Sequence, residues 1–141
     1  MWGNPFAGRL RVMQAEVTES RDLMEPVEVV RAAFGAFNRR ALDEGSLYLT
    51  PDVEWHVPES ALNPSVLHGV DELRDLLEAE FEAFSEVRRE PVELEEDDEG
   101  RVVGTISSRV RGRASGIELE YDADYAFTVC AGRIVRGEAL D

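Results

Sequence analysis

The stretch Leu49–Leu77, LTPDVEWHVPESALNPSVLHGVDELRDLL, decides how the chain is read. Val53, Trp55 and Val57 alternate with Glu54 and His56, the period of two that marks a half-buried strand. A proline-punctuated loop follows, from Pro58 to His68, and a helix is predicted to open just after Gly69. Leu73, Leu76, Leu77, Phe81 and Phe84 recur at helical spacing and give that helix one apolar stripe.

Working back from this unit, a helix is predicted to begin near Pro26, whose ring suits a first helical turn. Its apolar face carries Val27, Val30, Phe34, Phe37 and Ala41. A second helical piece is expected over Leu42–Leu49, ending before Pro51. Residues 1–24 read as an N-terminal extension, partly ordered or mobile, because Gly3, Pro5 and Gly8 keep it irregular. The domain proper is expected over 25–141.

Working forward, Pro91–Glu96 alternates weakly and Asp97–Gly100 (DDEG) is a turn. Arg101–Arg113 and Ile117–Val129 alternate cleanly and are joined by Ala114-Ser115-Gly116. Setting Arg113 opposite Gly116 brings Val110 to Leu119, Ile106 to Ala123 and Val102 to Phe127, all apolar. The same register sets Arg111 against Glu118 and Arg109 against Glu120 on the other face. A slip of one residue would oppose apolar to charged side chains throughout, so this register is strongly specified. The next hairpin, turning at Cys130-Ala131-Gly132, has no readable register, because Ile134, Val135 and Leu140 do not share a face.

Composition narrows the function classes. The chain has 141 residues, 43% of them hydrophobic, enough for one core. No apolar run approaches the roughly 18 residues of a membrane span, so no membrane partner is expected. The start, MWGNPFAGRLRVM, has no apolar h-region, and a cytoplasmic setting follows as the default, with a single cysteine, Cys130. A net charge of −15 argues against nucleic acid as a partner, since such binding needs a basic footprint. All 15 basic residues are arginine, which removes lysine Schiff-base chemistry. Two histidines on separate segments, without matched carboxylates, do not make a metal site, and neither metal nor cofactor is expected.

The order of elements, with Phe34–Asn38, TPDVEWHVPE at Thr50–Glu59, HGVDELRDLL at His68–Leu77 and AGRIVRGEAL at Ala131–Leu140, resembles the SnoaL-like branch of the nuclear transport factor 2-like superfamily. That branch includes polyketide cyclases and relatives of ketosteroid isomerase and limonene epoxide hydrolase. The resemblance implies an α+β fold: a cone-shaped, strongly curved, mainly antiparallel sheet wrapped around N-terminal helices, a cystatin-like α+β roll. It also implies an apolar pocket and a homodimer built on the sheet. Its isomerases use a carboxylate base with a hydrogen-bonding acid, a pairing that ketosteroid isomerase exemplifies. Aligning the proline after the base with Pro58 puts Val57 where the base belongs, and valine moves no proton. Counting back from Gly132 reaches Asp124 for the second acid, which the register above turns away from Tyr121 and Tyr125 unless a bulge intervenes. The Asp-Arg-Asp set of the epoxide hydrolases would fall on Arg109 with Asp122 or Asp124, on the same charged face.

The expected function is that of a small-molecule pocket protein: an isomerase, cyclase or hydratase acting on an apolar carbonyl-bearing substrate, or else a non-catalytic dimeric binding module. His68, on the loop before a helix and with an ordinary pKa near 6.5, is the expected proton carrier with Tyr121 and Tyr125. Trp55, Val57, Asn63 and Ser108 are expected to line the ligand site. Buried tyrosine and serine hydroxyls require partners, and a ligand or water in a cavity would supply them.

Overall fold

The computed structural model describes residues 24–57 and 66–140. Residues 1–23 of the N-terminal extension, Glu59 and Asn63 lie outside them. Helix α1 (Pro26–Asn38) starts on its proline and buries Val29, Val30, Ala33, Phe34 and Ala36. It unwinds at Arg39 and Arg40, the latter with φ of 61°, and Ala41 bonds back to the Ala36 carbonyl at 2.9 Å. A one-turn helix, α2 (Leu42–Ser46), is shorter than predicted, because Leu49 already belongs to strand β1 (Leu49–His56). The segment after the proline loop is not all loop: Val66–His68 forms β2, a short edge strand antiparallel to β1. Gly69, at φ of 92°, makes the turn into α3 (Val70–Ala83) and donates its N–H to the Val53 carbonyl at 2.7 Å. That positive φ is a conformation only glycine adopts without strain.

Helix α3 runs without a break into β3 (Phe84–Glu96), so Phe84 is a strand residue rather than the end of the helical stripe. Strands β4 (Val102–Gly112), β5 (Glu118–Cys130) and β6 (Arg133–Ala139) complete one six-stranded sheet in the order β2-β1-β6-β5-β4-β3. All neighbours are antiparallel except β1 and β6. The β4–β5 register is the one read from the sequence, with Val110 opposite Leu119, Ile106 opposite Ala123 and Val102 opposite Phe127. Arg109–Glu120 and Arg111–Glu118 pair on the outer face as expected. In the last hairpin the register shifts between Thr128 and Val129, leaving Val135 as the extra residue. Ile134, fully buried, and Gly137 can then both face inward despite odd spacing.

The helices pack on the inner face of the sheet. The core joins Val29, Val30, Ala33 and Phe34 of α1 and Leu73 and Leu77 of α3 to Leu49, Val53, Leu94, Val102, Ile106, Tyr125, Phe127 and Ile134 of the strands. Beyond this layer the β4–β5 hairpin runs out into solvent, where Ile117, Leu119 and Tyr121 are exposed.

Candidate functional site

Two features of the inner face stand out, and both follow from strand register. The first is an aromatic wall. Trp55 of β1 lies opposite Leu67 on one side and Gly137 on the other, and Gly137 lies opposite Phe127. The indole rests over Gly137, where a Cβ would stand only 2.8 to 3.0 Å from its ring carbons. Trp55 reaches Phe127 at 5.7 Å and Tyr125 at 6.4 Å between centroids. Tyr125 stacks on Phe127 at 5.6 Å, and Phe34 of α1 meets Trp55 and Phe127 at 6.2 and 5.7 Å. These are favourable aromatic separations, each worth about 0.5–1.5 kcal/mol beyond area.

The second feature is one polar row across an otherwise apolar surface. Arg89, Ser108 and Tyr121 lie side by side on β3, β4 and β5. The rows flanking it are Val87–Val110–Leu119 and Pro91–Ile106–Ala123, wholly apolar. Ser108 is buried, while Tyr121 is 45% exposed. Arg89 is held at both ends. Its backbone N–H donates to Asn38 Oδ1 and its carbonyl accepts from Asn38 Nδ2, each at 2.8 Å. Its Nη1 and Nη2 donate to the two Glu80 oxygens of α3 at 2.9 and 2.7 Å. The pair is only partly shielded, with side chains 24% and 18% exposed. Burial alone would lower the basicity of the Arg89 guanidinium. The hydrogen bonds and charge of Glu80, with the Tyr121 phenol oxygen beside it, more than offset that and raise its pKa above the ordinary arginine value. Arg89 is therefore a permanent cation.

The structure brings Trp55 and Tyr125 into contact and sets Ser108 and Tyr121 together on the same face. Val57 is half-buried just past the end of β1. It does not bring His68 to this face. His68 is paired with Glu54, exposed, on the side opposite Trp55, and its backbone N–H bonds to Glu72 Oε1 at 3.1 Å. No register shift interrupts β4–β5, so Asp124 stays on the outer face, accepting from Thr105 Oγ1 at 2.8 Å. Arg109 and Asp122 lie on that face too. A cleft of about 300 Å³ opens there among Arg88, Glu90, Ser107, Ser108, Arg109 and Glu120, its charged walls already engaged in ion pairs. Among the described residues no group of three or more His, Cys, Asp or Glu side chains could hold a metal ion, and no helix is long and apolar enough to cross a membrane.

Arg89, Glu80 and Asn38 went unseen in the sequence. The signal was present: Val87, Arg89 and Pro91 share one parity. It stayed hidden because no turn residue marks where α3 becomes β3.

Comparison with known proteins agrees with this architecture. No protein of curated function matches the sequence. A protein of unknown function with the nuclear transport factor 2-like fold, from Burkholderia pseudomallei K96243, is 26% identical, with a TM-score of 0.70 over 84% of this chain and 91% of that one. Bal32a, from a soil-derived mobile gene cassette, superposes at a TM-score of 0.74 with 18% identity, covering 84% of this chain and 90% of that one. A candidate polyketide cyclase from Xanthomonas campestris pv. campestris gives 0.66 with 19% identity, over 86% of this chain and 90% of that one. The family model for the SnoaL-like domain matches residues 30–137, and with the α+β roll described above this chain belongs to the SnoaL-like family of the nuclear transport factor 2-like superfamily.

Proposed function

We propose that the protein binds a small, largely apolar molecule on the inner face of β5, between Tyr121 and Tyr125. The observation that carries this reading is the run of inner-face side chains there, which would flank a slot. Half-buried Ala123 separates the two tyrosines, Trp55 stands against Tyr125, and Ser108 stands against Tyr121. Four residues of strand span about 13 Å, the length of a two- or three-ring body. Along β5 the last β6 pair is Tyr125 with Ala139, and the Leu140 N–H donates to the Asp124 carbonyl just beyond it. Membership of the SnoaL-like family supports a small-molecule pocket, and the cyclase-like relative favours a carbonyl-bearing ligand.

If the bound molecule reacts, the protonic groups at hand are the hydroxyls of Tyr121 and Tyr125, acting as acids toward a carbonyl oxygen in isomerase, cyclase or hydratase chemistry. His68, turned to the other face, has no part in this reading. Binding without catalysis is favoured by one specific observation: Glu80, a carboxylate beside this face, has both oxygens engaged by Arg89. Homodimerisation through the charged outer face and a cytoplasmic setting, in which exposed Cys130 stays a free thiol, belong to the same proposal. A mass equal to one chain by light scattering would remove the dimer.

The test uses Trp55 as its own reporter, in a Trp2→Phe background. Titration with planar lipophilic ketones of two and three rings is expected to quench Trp55 emission and raise the melting temperature. Tyr125→Ala should weaken that binding at least tenfold. A panel that neither quenches nor stabilises would dispose of the slot.

A further inference from the structure

We propose that Arg89, with Ser108 and Tyr121, recognises an anionic oxygen on the ligand, so that the slot selects aromatic carboxylates or enolates over their neutral counterparts. This rests on the slot just described and names the polar end of what enters it.

A guanidinium has five N–H donors, and the end-on pair with Glu80 uses two of them. Three remain for Tyr121 and for an incoming oxygen. The phenol and serine hydroxyls on the same row can turn their hydrogens to the same point. The arginine cannot drift. Asn38 pins its backbone from the edge of the sheet and Glu80 pins its head from α3, so little side-chain freedom is lost when a ligand arrives. The site is reachable, since Arg89 and Glu80 are partly exposed and Tyr121 nearly half exposed.

An anion is favoured over a neutral carbonyl for two reasons. Hydrogen bonds to an ionised acceptor are roughly twice as strong as neutral ones. The rows on either side are apolar and offer no competing hydrogen-bonding side chain. Anion binding here also runs against the protein's overall field. A chain of net charge −15 repels anions, so its default preference would be for the neutral form of any ligand. A preference for the anion must then come from local donors, and in this row they are the remaining N–H groups of Arg89, whose charge Glu80 balances, with the hydroxyls of Ser108 and Tyr121.

The probes are anthracene-2-carboxylate and anthracene-2-carboxamide, equal in shape and different in charge, titrated fluorimetrically at pH 7.5 and one fixed salt concentration. The carboxylate is expected to bind at least tenfold tighter than the carboxamide. In Glu80→Gln/Arg89→Gln, which removes both charges together, that preference should vanish. Should this double variant not fold, Arg89→Lys decides, since it keeps the charge beside Glu80 and loses the fork; the preference should fall at least threefold. An equal or better affinity for the carboxamide in the wild type overturns the inference and leaves the slot standing. A preference that survives in the double variant overturns it as well. If neither compound binds, the slot reading and this inference fall together.

Discussion

At the scale of single residues, Gly137 shows how one absent atom shapes a wall. Its missing side chain lets the Trp55 indole lie on the strand and reach Tyr125 and Phe127. Gly137→Ala is expected to push the ring aside and destabilise the fold by about 1–3 kcal/mol, the usual range for overpacking. Urea unfolding and a changed Trp55 emission in the Trp2→Phe background would register it. Arg89 makes a second case. Removing one partner of a partly buried pair leaves the other short of hydrogen bonds, so Glu80→Ala should lose about 1–3 kcal/mol. A double-mutant cycle with Arg89→Ala should show positive coupling, and independent effects would mean that the pair holds nothing together.

At the scale of elements, α3 and the edge of the sheet are each secured by one distant side chain. Arg113 donates from Nη2 to the Phe81 and Phe84 carbonyls and from Nε to that of Glu82, while its N–H reaches the Ala83 carbonyl at 3.0 Å. The Phe81, Glu82 and Ala83 carbonyls are among those a helix end leaves unpaired, where a cation is favourable. Arg113→Ala is therefore expected to cost about 1–2 kcal/mol, with faster hydrogen exchange confined to the last turn of α3. Asn38 does for β3 what a neighbouring strand would, and Pro91, two residues further on, presents no N–H to that open edge. The elements also differ in how far they could be read. The β4–β5 pairing was legible because two faces gave independent evidence, apolar on one and ionic on the other. The β5–β6 pairing was not, since Val135 bulges and reverses parity midway, and a period of two carries no information across a bulge.

At the scale of the molecule, charge sets the response to solvent. Exposed Arg–Glu pairs each contribute little, whereas a net charge of −15 repels itself throughout the compact state. Added sodium chloride screens both, and the repulsion is the larger, so the melting temperature is expected to rise with salt up to a few tenths molar. Acid acts through particular carboxylates. Desolvation pushes Asp97 up, but backbone and side-chain hydrogen bonds from Arg101 and the Glu99 N–H outweigh it and hold the carboxyl below its usual range. The hydrogen bond and charge of Arg111 lower Glu118 likewise. Groups depressed in the folded state contribute stability above their unfolded pKa values, about 3.9 and 4.3, and lose it as pH falls through the folded ones. Asp97→Asn/Glu118→Gln should therefore show a flatter loss of stability below about pH 4 than the wild type, as followed by thermal melts.

The sequence by itself determined the fold class, the long hairpin with its register and both charged pairs, and the membership of Trp55, Tyr121, Tyr125 and Ser108 in one inner face. Those are consequences of local periodicity, which each residue carries with it. Only the tertiary structure decided that His68 turns outward with Glu54, that Asp124 remains on the outer face, and that Arg89 crosses from an unmarked strand to meet Tyr121. Contacts of that kind depend on where one strand starts and which edge it occupies. The physical reason is that a strand's facing is relative: parity assigns two sides, and only packing against a helix says which of them is the inside.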